Sequence, residues 1–230
     1  MSETSSAPGC SLDDPAVRAV LDRAFAEAGR QLPSYLRLTV QTLADKLLRR
    51  PPSLSTEVER LRDLYVPVSP KQGRFLYLVA RSLRAERIVE FGTSFGISTI
   101  HLAAALRDNG GGVVVGSELE PGKVRIARRN LEEAGLSEFA DVREGDAQQT
   151  LRDPGGAVDL VFLDGYEHLY LEILKILTPS LRTGATVLAD NIFTFRKTLL
   201  PYVAHVQNPV NGFRSITLML KDGTEYSVRL

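Results

Sequence analysis

The chain has one cysteine, Cys10, so it closes no internal disulfide. With only three histidines in 230 residues, it also has little material for a sulfur- or imidazole-rich metal site. It lacks an excess of either charge: Lys+Arg and Asp+Glu both number 28, which removes the overall basic field that recruits nucleic acid or an anionic membrane. No run reaches the roughly 18 apolar residues that a bilayer span requires, and no charged-then-apolar leader precedes Cys10. These absences predict a cytoplasmic protein with neither nucleic acid nor membrane as partner.

With 43% hydrophobic residues, the chain can bury the core of one α/β domain and a helical appendage. Residues 1–11 are rich in Ser, Gly and Pro and read as a disordered tail. Residues 12–65 read as an N-terminal helical cap. Asp13-Asp14-Pro15 caps a helix whose apolar face is Val17, Val20, Leu21, Phe25 and Ala28, and a second helical pattern runs from Leu36 to Leu48, ahead of Pro51-Pro52. Residues 66–230 alternate strand and helix patterns. Two prolines keep Tyr65 to Gly73 extended, as a lid or a linker, and Phe75–Leu83 then reads as a helix.

The stretch Arg87 to Thr99 organises that alternation. A β-rich run ends at Glu90-Phe91, turns through Gly92 and Gly96, and enters the helical pattern Ile100, Leu102, Ala103, Ala104, Leu106. Glycines at a strand-to-helix turn admit positive φ and a close-lying ligand, above which the free N–H groups of the new helix stand. A dinucleotide would call for Gly-x-Gly-x-x-Gly, whereas here three residues separate the glycines and Glu90 would repel a phosphate. A carboxylate suits an adenosyl ligand with a cationic amino acid, S-adenosylmethionine, although Glu90 could also simply end a buried strand.

Further carboxylates stand at successive strand ends. Glu118, 26 residues after Gly92, closes the run Val113–Glu118 and is placed to accept both hydroxyls of a ribose, with Glu120 as competitor. Asp146, after the run Val142–Gly145, either accepts from an adenine amine or caps the helix at Gln148–Leu151. Val158–Leu163 is apolar throughout, as in a parallel strand buried on both faces, and ends at Asp164. A helix over Glu167–Leu181, closed by Gly184, leads to Thr186–Ala189 and Asp190-Asn191. Adjacent parallel strands present such ends on one edge. Two carboxylates and an amide oxygen suit a hard ion, Mg²⁺ before Ca²⁺, yet paired acidic strand ends also occur without metal. Lys221-Asp222-Gly223-Thr224 between two alternating runs predicts a closing antiparallel hairpin. The fold class is α/β: a doubly wound, mostly parallel seven-stranded sheet.

With these residues assembled, the chain from about Val66 resembles the class I S-adenosylmethionine-dependent methyltransferases, of Rossmann-like fold. Within them it resembles the cation-dependent catechol and caffeoyl-CoA O-methyltransferases. The likeness rests on Val68–Gly73, Glu90–Ser98, Glu118–Pro121, Gly145–Gln148, Phe162–Asp164 and Ala189–Asn191. It implies a homodimeric transferase that methylates a hydroxyl of a small, catechol-like or other phenolic acceptor. It also implies a cofactor pocket formed by Val68, Glu90, Gly92, Ser98, Glu118, Asp146, Ala147, Gln148 and Asp164, with a divalent ion held by Asp164, Asp190 and Asn191. One position departs from the family: a lysine, taken as the base, usually stands three residues after the first metal aspartate, and here that residue is Glu167. His168 is a candidate replacement, and a metal alone could acidify the hydroxyl. Tyr166, Phe193, Phe195 and Arg196 are candidates for acceptor selection. A metal-independent transferase for a carboxylate or nitrogen, or a non-catalytic protein that binds the cofactor, remain the alternatives.

Overall fold

The computed structural model describes residues 9–30, Val40, Asp45 and 68–230. Residues 1–8 of the expected tail, all but Val40 and Asp45 of the helical pattern at 36–48, and Val66-Pro67 lie outside them.

The strands are β1 (Arg87–Phe91), β2 (Val113–Glu118), β3 (Ala140–Glu144), β4 (Val158–Leu163), β5 (Leu181–Ala189), β6 (Phe213–Leu218) and β7 (Thr224–Arg229). They form one sheet in the order β3-β2-β1-β4-β5-β7-β6. β1 to β5 pair in parallel, and β7 runs antiparallel between β5 and β6. The seven-stranded, doubly wound sheet read from the sequence is therefore the observed one. Period-two alternation explains why β4 carries no polar face. Leu160 and Phe162 enter one core cluster while Val161 and Leu163 enter the other, so helices are needed on both sides.

On one side lie α1 (Pro15–Arg30), α2 (Pro70–Ser82), α3 (Ile97–Asn109) and α4 (Pro121–Glu133); on the other lie α5 (Ala147–Thr150), α6 (Tyr170–Leu177) and α7 (Arg196–Gln207). Val17, Val20, Leu21 and Ala24, spaced as one helical face, bury α1 in the first cluster. Ser11, at the end of the expected tail, is itself buried, and its N–H donates to Asp108 at 2.9 Å. α2 begins at Pro70, earlier than the apolar pattern suggests, because Ser69 caps it by accepting from the Gln72 N–H at 3.2 Å.

Two further boundaries, in the second half of the chain, differ from the sequence reading. The helix expected over Glu167–Leu181 is a 3₁₀ turn (Glu167–Leu169), then α6, then a second 3₁₀ turn (Thr178–Ser180), and Gly184 lies inside β5 at φ 82°. Pro179 has no N–H to continue the helix, so the chain turns early and enters β5 before the glycine. The terminal hairpin closes at the Leu218–Thr224 pair. Residues 219–223 therefore form a loop longer than a two-residue Asp-Gly turn. That extra length carries Lys221 and Asp222 to the rim described next.

Candidate functional site

A cavity of about 640 Å³ opens at the carboxyl ends of β1, β2 and β4, where the strand order reverses direction. Val68, Gly92, Ser98, Glu118, Asp146, Ala147, Gln148, Asp164, His168 and Asn191 all line it. Residues far apart in sequence thus meet because parallel strands present their ends together. Two residues expected there stand behind the wall instead: Glu90 and Asp190 are buried and absent from the lining.

Gly92 adopts φ 96°, and a Cβ on it would meet the Asp164 carbonyl oxygen at 2.5 Å. The glycine is thus needed for the approach of the β4 end as well as for a ligand. Ser94 follows at φ 50°, and its N–H donates to Glu118 Oε2 at 2.8 Å. The Glu120 N–H donates to Glu118 Oε1 at 2.9 Å. Both oxygens are thereby oriented, each keeping a lone pair for a hydroxyl. The two glutamates differ in place: Glu120 caps α4, accepting from the Lys123 N–H at 2.9 Å, and Glu118 lines the cavity. Asp146 caps α5 through the Gln148 N–H at 2.9 Å, the capping role read from the sequence, and also lines the cavity.

Glu90 accepts from Thr99 at 2.5 Å and from Thr93 at 3.0 Å, both on Oε2, whereas its Oε1 has no hydrogen-bond partner. Burial raises its carboxyl above the ordinary value, and the Ser98, Thr99 and Thr93 hydroxyls pull it partly back. Thr93 and Ser98 line the cavity and interact with Glu90 behind them. Sequence spacing offered no signal for this hydroxyl layer, because Thr93 and Thr99 reach Glu90 only once the loop has folded over it.

At the β4 and β5 ends, Asn191 Nδ2 donates to Asp164 Oδ1 at 3.1 Å. Burial pushes the Asp164 carboxyl well above the ordinary range and the neighbouring Asp190 pushes it further, while Lys221 draws it down. Asp190 is raised by burial, with Gln72, Lys221 and its own following amide opposing. Asp190 Oδ2 and both polar atoms of buried Gln72 make no hydrogen bond of good geometry, so the opposing pull of Gln72 on Asp190 is that of a neighbouring amide that is not well aligned with it. Asn191 sits at φ 66°, a left-handed conformation that asparagine tolerates. Ser94, Asn191 and Lys221, three of the four non-glycine residues with positive φ among the described residues, line this one cavity. No cluster of three or more His, Cys, Asp and Glu occurs among the described residues, so any ion here would rest on two carboxylates and an amide.

The acceptor-side residues separate. Tyr166 and Phe195 line the cavity, whereas Phe193 packs on the Gly223 turn and exposed Arg196 does not reach the lining. His168 is exposed at the rim with its ring 6.0 Å from that of Tyr166. Lys221 and Asp222 were read only as hairpin residues, and their place in the lining was not anticipated.

A family profile described as a methyltransferase domain matches residues 89–192, the segment that builds the glycine turn and all five strand ends. The chain is 34% identical over 138 residues to a catechol O-methyltransferase of Niastella koreensis, covering 58% of this chain and 62% of that protein. A catechol O-methyltransferase of Mycobacterium tuberculosis is 37% identical over 128 residues, covering 55% and 57%. The match thus spans less than two thirds of these relatives' own length. Among solved structures, the O-methyltransferase from Bacillus cereus in complex with SAH is similar with a TM-score of 0.65 and 26% identity, covering 84% of this chain and 97% of that one. The matched segment therefore lies in a Rossmann-like sheet, as the sequence predicted, with the cavity at the reversal of strand order.

Proposed function

We propose that this protein transfers a methyl group from S-adenosylmethionine to a hydroxyl of a small phenolic, catechol-like acceptor, assisted by a divalent cation, Mg²⁺ before Ca²⁺. One observation carries the reading: a single cavity joins the Glu118 ribose acceptor to the Asp164 and Asn191 strand ends. The names of the relatives and the SAH in the B. cereus structure support the same choice of cofactor and reaction. The cofactor supplies an activated methyl on a sulfonium, and a divalent ion supplies charge that acidifies a hydroxyl.

The chain's own residues bind and align. Glu118 holds the ribose, Asp146, Ala147 and Gln148 flank the adenine, and Val68, Gly92 and Ser98 enclose the amino-acid end. Asp164, Asp190 and Asn191 would hold the cation. The poorly hydrogen-bonded Asp190 Oδ2 and the mutual repulsion of buried Asp190 and partly buried Asp164 fit a hard cation at this point. Tyr166 and Phe195 contact the acceptor ring, and His168 at the rim takes the hydroxyl proton as the oxygen–carbon bond forms and the carbon–sulfur bond breaks. Alignment is the larger contribution, worth about several kcal/mol.

The exposed apolar residues Val210, Ile216 and Met219 support a homodimer, which sedimentation velocity would detect. A cytoplasmic setting is consistent with the described residues, none of whose helices is long and apolar enough to cross a membrane.

Calorimetric titration of S-adenosylmethionine, then Mg²⁺, into chelator-treated wild type, Asp164→Ala and Asp190→Ala tests the reading. Cofactor binding throughout, with metal binding only in the wild type, is expected. Cofactor binding without metal binding in the wild type would transfer the reading to a metal-independent methyltransferase. Binding of both without turnover on any phenol would favour a non-catalytic protein.

A further inference from the structure

The glycine turn between β1 and α3 is fastened from two directions. On the sheet side, the Gly92 and Thr93 N–H groups both donate to the Ser117 carbonyl at 3.1 Å, and the Ser94 N–H reaches Glu118. On the helix side, Asn130 of α4 donates from Nδ2 to the Phe95 carbonyl at 2.9 Å. Phe95 is buried in the cavity wall, and the Lys123 ammonium stands 5.4 Å from its ring centroid. Where the Asn130 amide points therefore bears on where this wall stands.

That direction is fixed from α1. Arg23 Nη2 donates to Asn130 Oδ1 at 3.0 Å and also pairs with Glu133 at 2.5 Å. A guanidinium only donates and a carbonyl only accepts, so the amide satisfies both neighbours in one orientation and neither when flipped. Asn130 is 2% exposed, so removal of Arg23 takes a donor away from an oxygen in a packed interior. α1 is itself braced where it begins: Arg107 of α3 donates to Asp14 at 3.2 Å, and the Ser11 N–H donates to Asp108 of α3 at 2.9 Å. The helix that carries Arg23 is thus anchored both to α4 and to α3, the helix that the glycine turn enters.

We propose that Arg23 is a positioning residue for the cofactor site. By locking the Asn130 amide it holds the glycine turn in its cavity-forming position, so that α1 sets the affinity for S-adenosylmethionine without contributing to the cavity lining. The side chain of Arg23 keeps 44% of its surface exposed, so replacing it leaves the core packed. The proposal rests on the cofactor role assigned above.

The test titrates SAH by calorimetry into wild type, Arg23→Ala, Arg23→Lys, Asn130→Ala and the double variant Arg23→Ala/Asn130→Ala. Arg18→Ala, at an exposed position of α1 that pairs with Asp13, is the control for the helix itself. Arg23→Ala should weaken SAH binding about fivefold, whereas Arg23→Lys, which can still donate, stays within about twofold of the wild type. Arg18→Ala should bind as the wild type does. The double variant should bind no more weakly than Asn130→Ala alone, since the two residues act in series. Without SAH, Arg23→Ala should speed hydrogen exchange in residues 92–97 and leave β5 unchanged. Equal SAH affinity in wild type and Arg23→Ala overturns the proposal and leaves the cofactor reading standing. A further loss of about fivefold in the double variant also overturns it, because the two residues would then act separately. So does an equal loss in Arg18→Ala, which would make α1 a packed helix with no specific link. Failure of the wild type to bind SAH removes the cofactor reading, and the proposal falls with it.

Discussion

Single residues in this cavity are held by contacts that a substitution would break in a defined direction. Gly92 is pressed against the Asp164 carbonyl at positive φ, so Gly92→Ala both strains the backbone and forces the β1 and β4 ends apart. We expect it to cost about 1–3 kcal/mol of stability, read as a lower denaturant midpoint, together with weakened cofactor binding. An unchanged midpoint would mean that the turn relaxes freely. The place of Glu118 was legible in the sequence, because a carboxylate closing the second strand stands at the carboxyl edge where the cavity opens. Glu118→Ala should weaken S-adenosylmethionine binding about tenfold or more, as loss of hydrogen bonds to a charged acceptor would. A calorimetric affinity equal to that of the wild type would remove Glu118 from the cofactor site. Glu90, by contrast, was read as a direct ligand and stands behind Thr93 and Ser98. The spacing of strand and glycines gives its position along the chain but cannot show that the loop hydroxyls fold over it.

Elements transmit position to the site through a few buried polar links. Asn130 on α4 donates from Nδ2 to the Phe95 carbonyl of the glycine loop at 2.9 Å, and its Oδ1 accepts from Arg23 of α1 at 3.0 Å. One buried amide thus ties α1 and α4 to the loop over which the cofactor is expected to lie. Asn130→Ala removes the hydrogen bond to the Phe95 carbonyl and should cost about 1–3 kcal/mol. It should also speed hydrogen exchange in residues 92–97 more than in β5, and a uniform change across the sheet would show that the link is not local. Helix and strand identities followed from apolar periodicity, down to the continuous run of β4. Element ends followed less well. Pro179 and the longer loop at 219–223 moved two boundaries, and only the second bears on the site, since it delivers Lys221.

Over the whole molecule, stability should depend on pH through the Asp164–Asp190 carboxyl pair. Asp164 is raised well above its ordinary value by burial and by Asp190, so the folded chain holds a proton that the unfolded chain has already released. The sign follows: this group costs nothing below the unfolded value of 3.8, and its penalty grows as pH rises through the interval up to the raised folded value. Above that interval the penalty is complete. Asp164→Asn cannot ionise, so in chelator-treated protein it should melt higher than the wild type at about pH 8, with the advantage shrinking toward about pH 4. Excess Mg²⁺ should then raise the melting temperature of the wild type and not that of the variant. A melting difference independent of pH would show that Asp164 does not ionise in the folded protein.

The sequence by itself determined the sheet, the glycine turn and the order of acidic strand ends, because periodicity and turn chemistry are local and survive without neighbours. It also determined which carboxylates could meet, since parallel strands share one edge. Tertiary structure alone decided which of them face the cavity: Glu118 over Glu120, Asp164 at the lining with Asp190 behind it, and Glu90 beneath a threonine layer. It alone brought Lys221 to the β5 end, through backbone bonds between segments some thirty residues apart. Burial, charge proximity and orientation belong to pairs of distant residues, and no stretch of the chain carries them on its own.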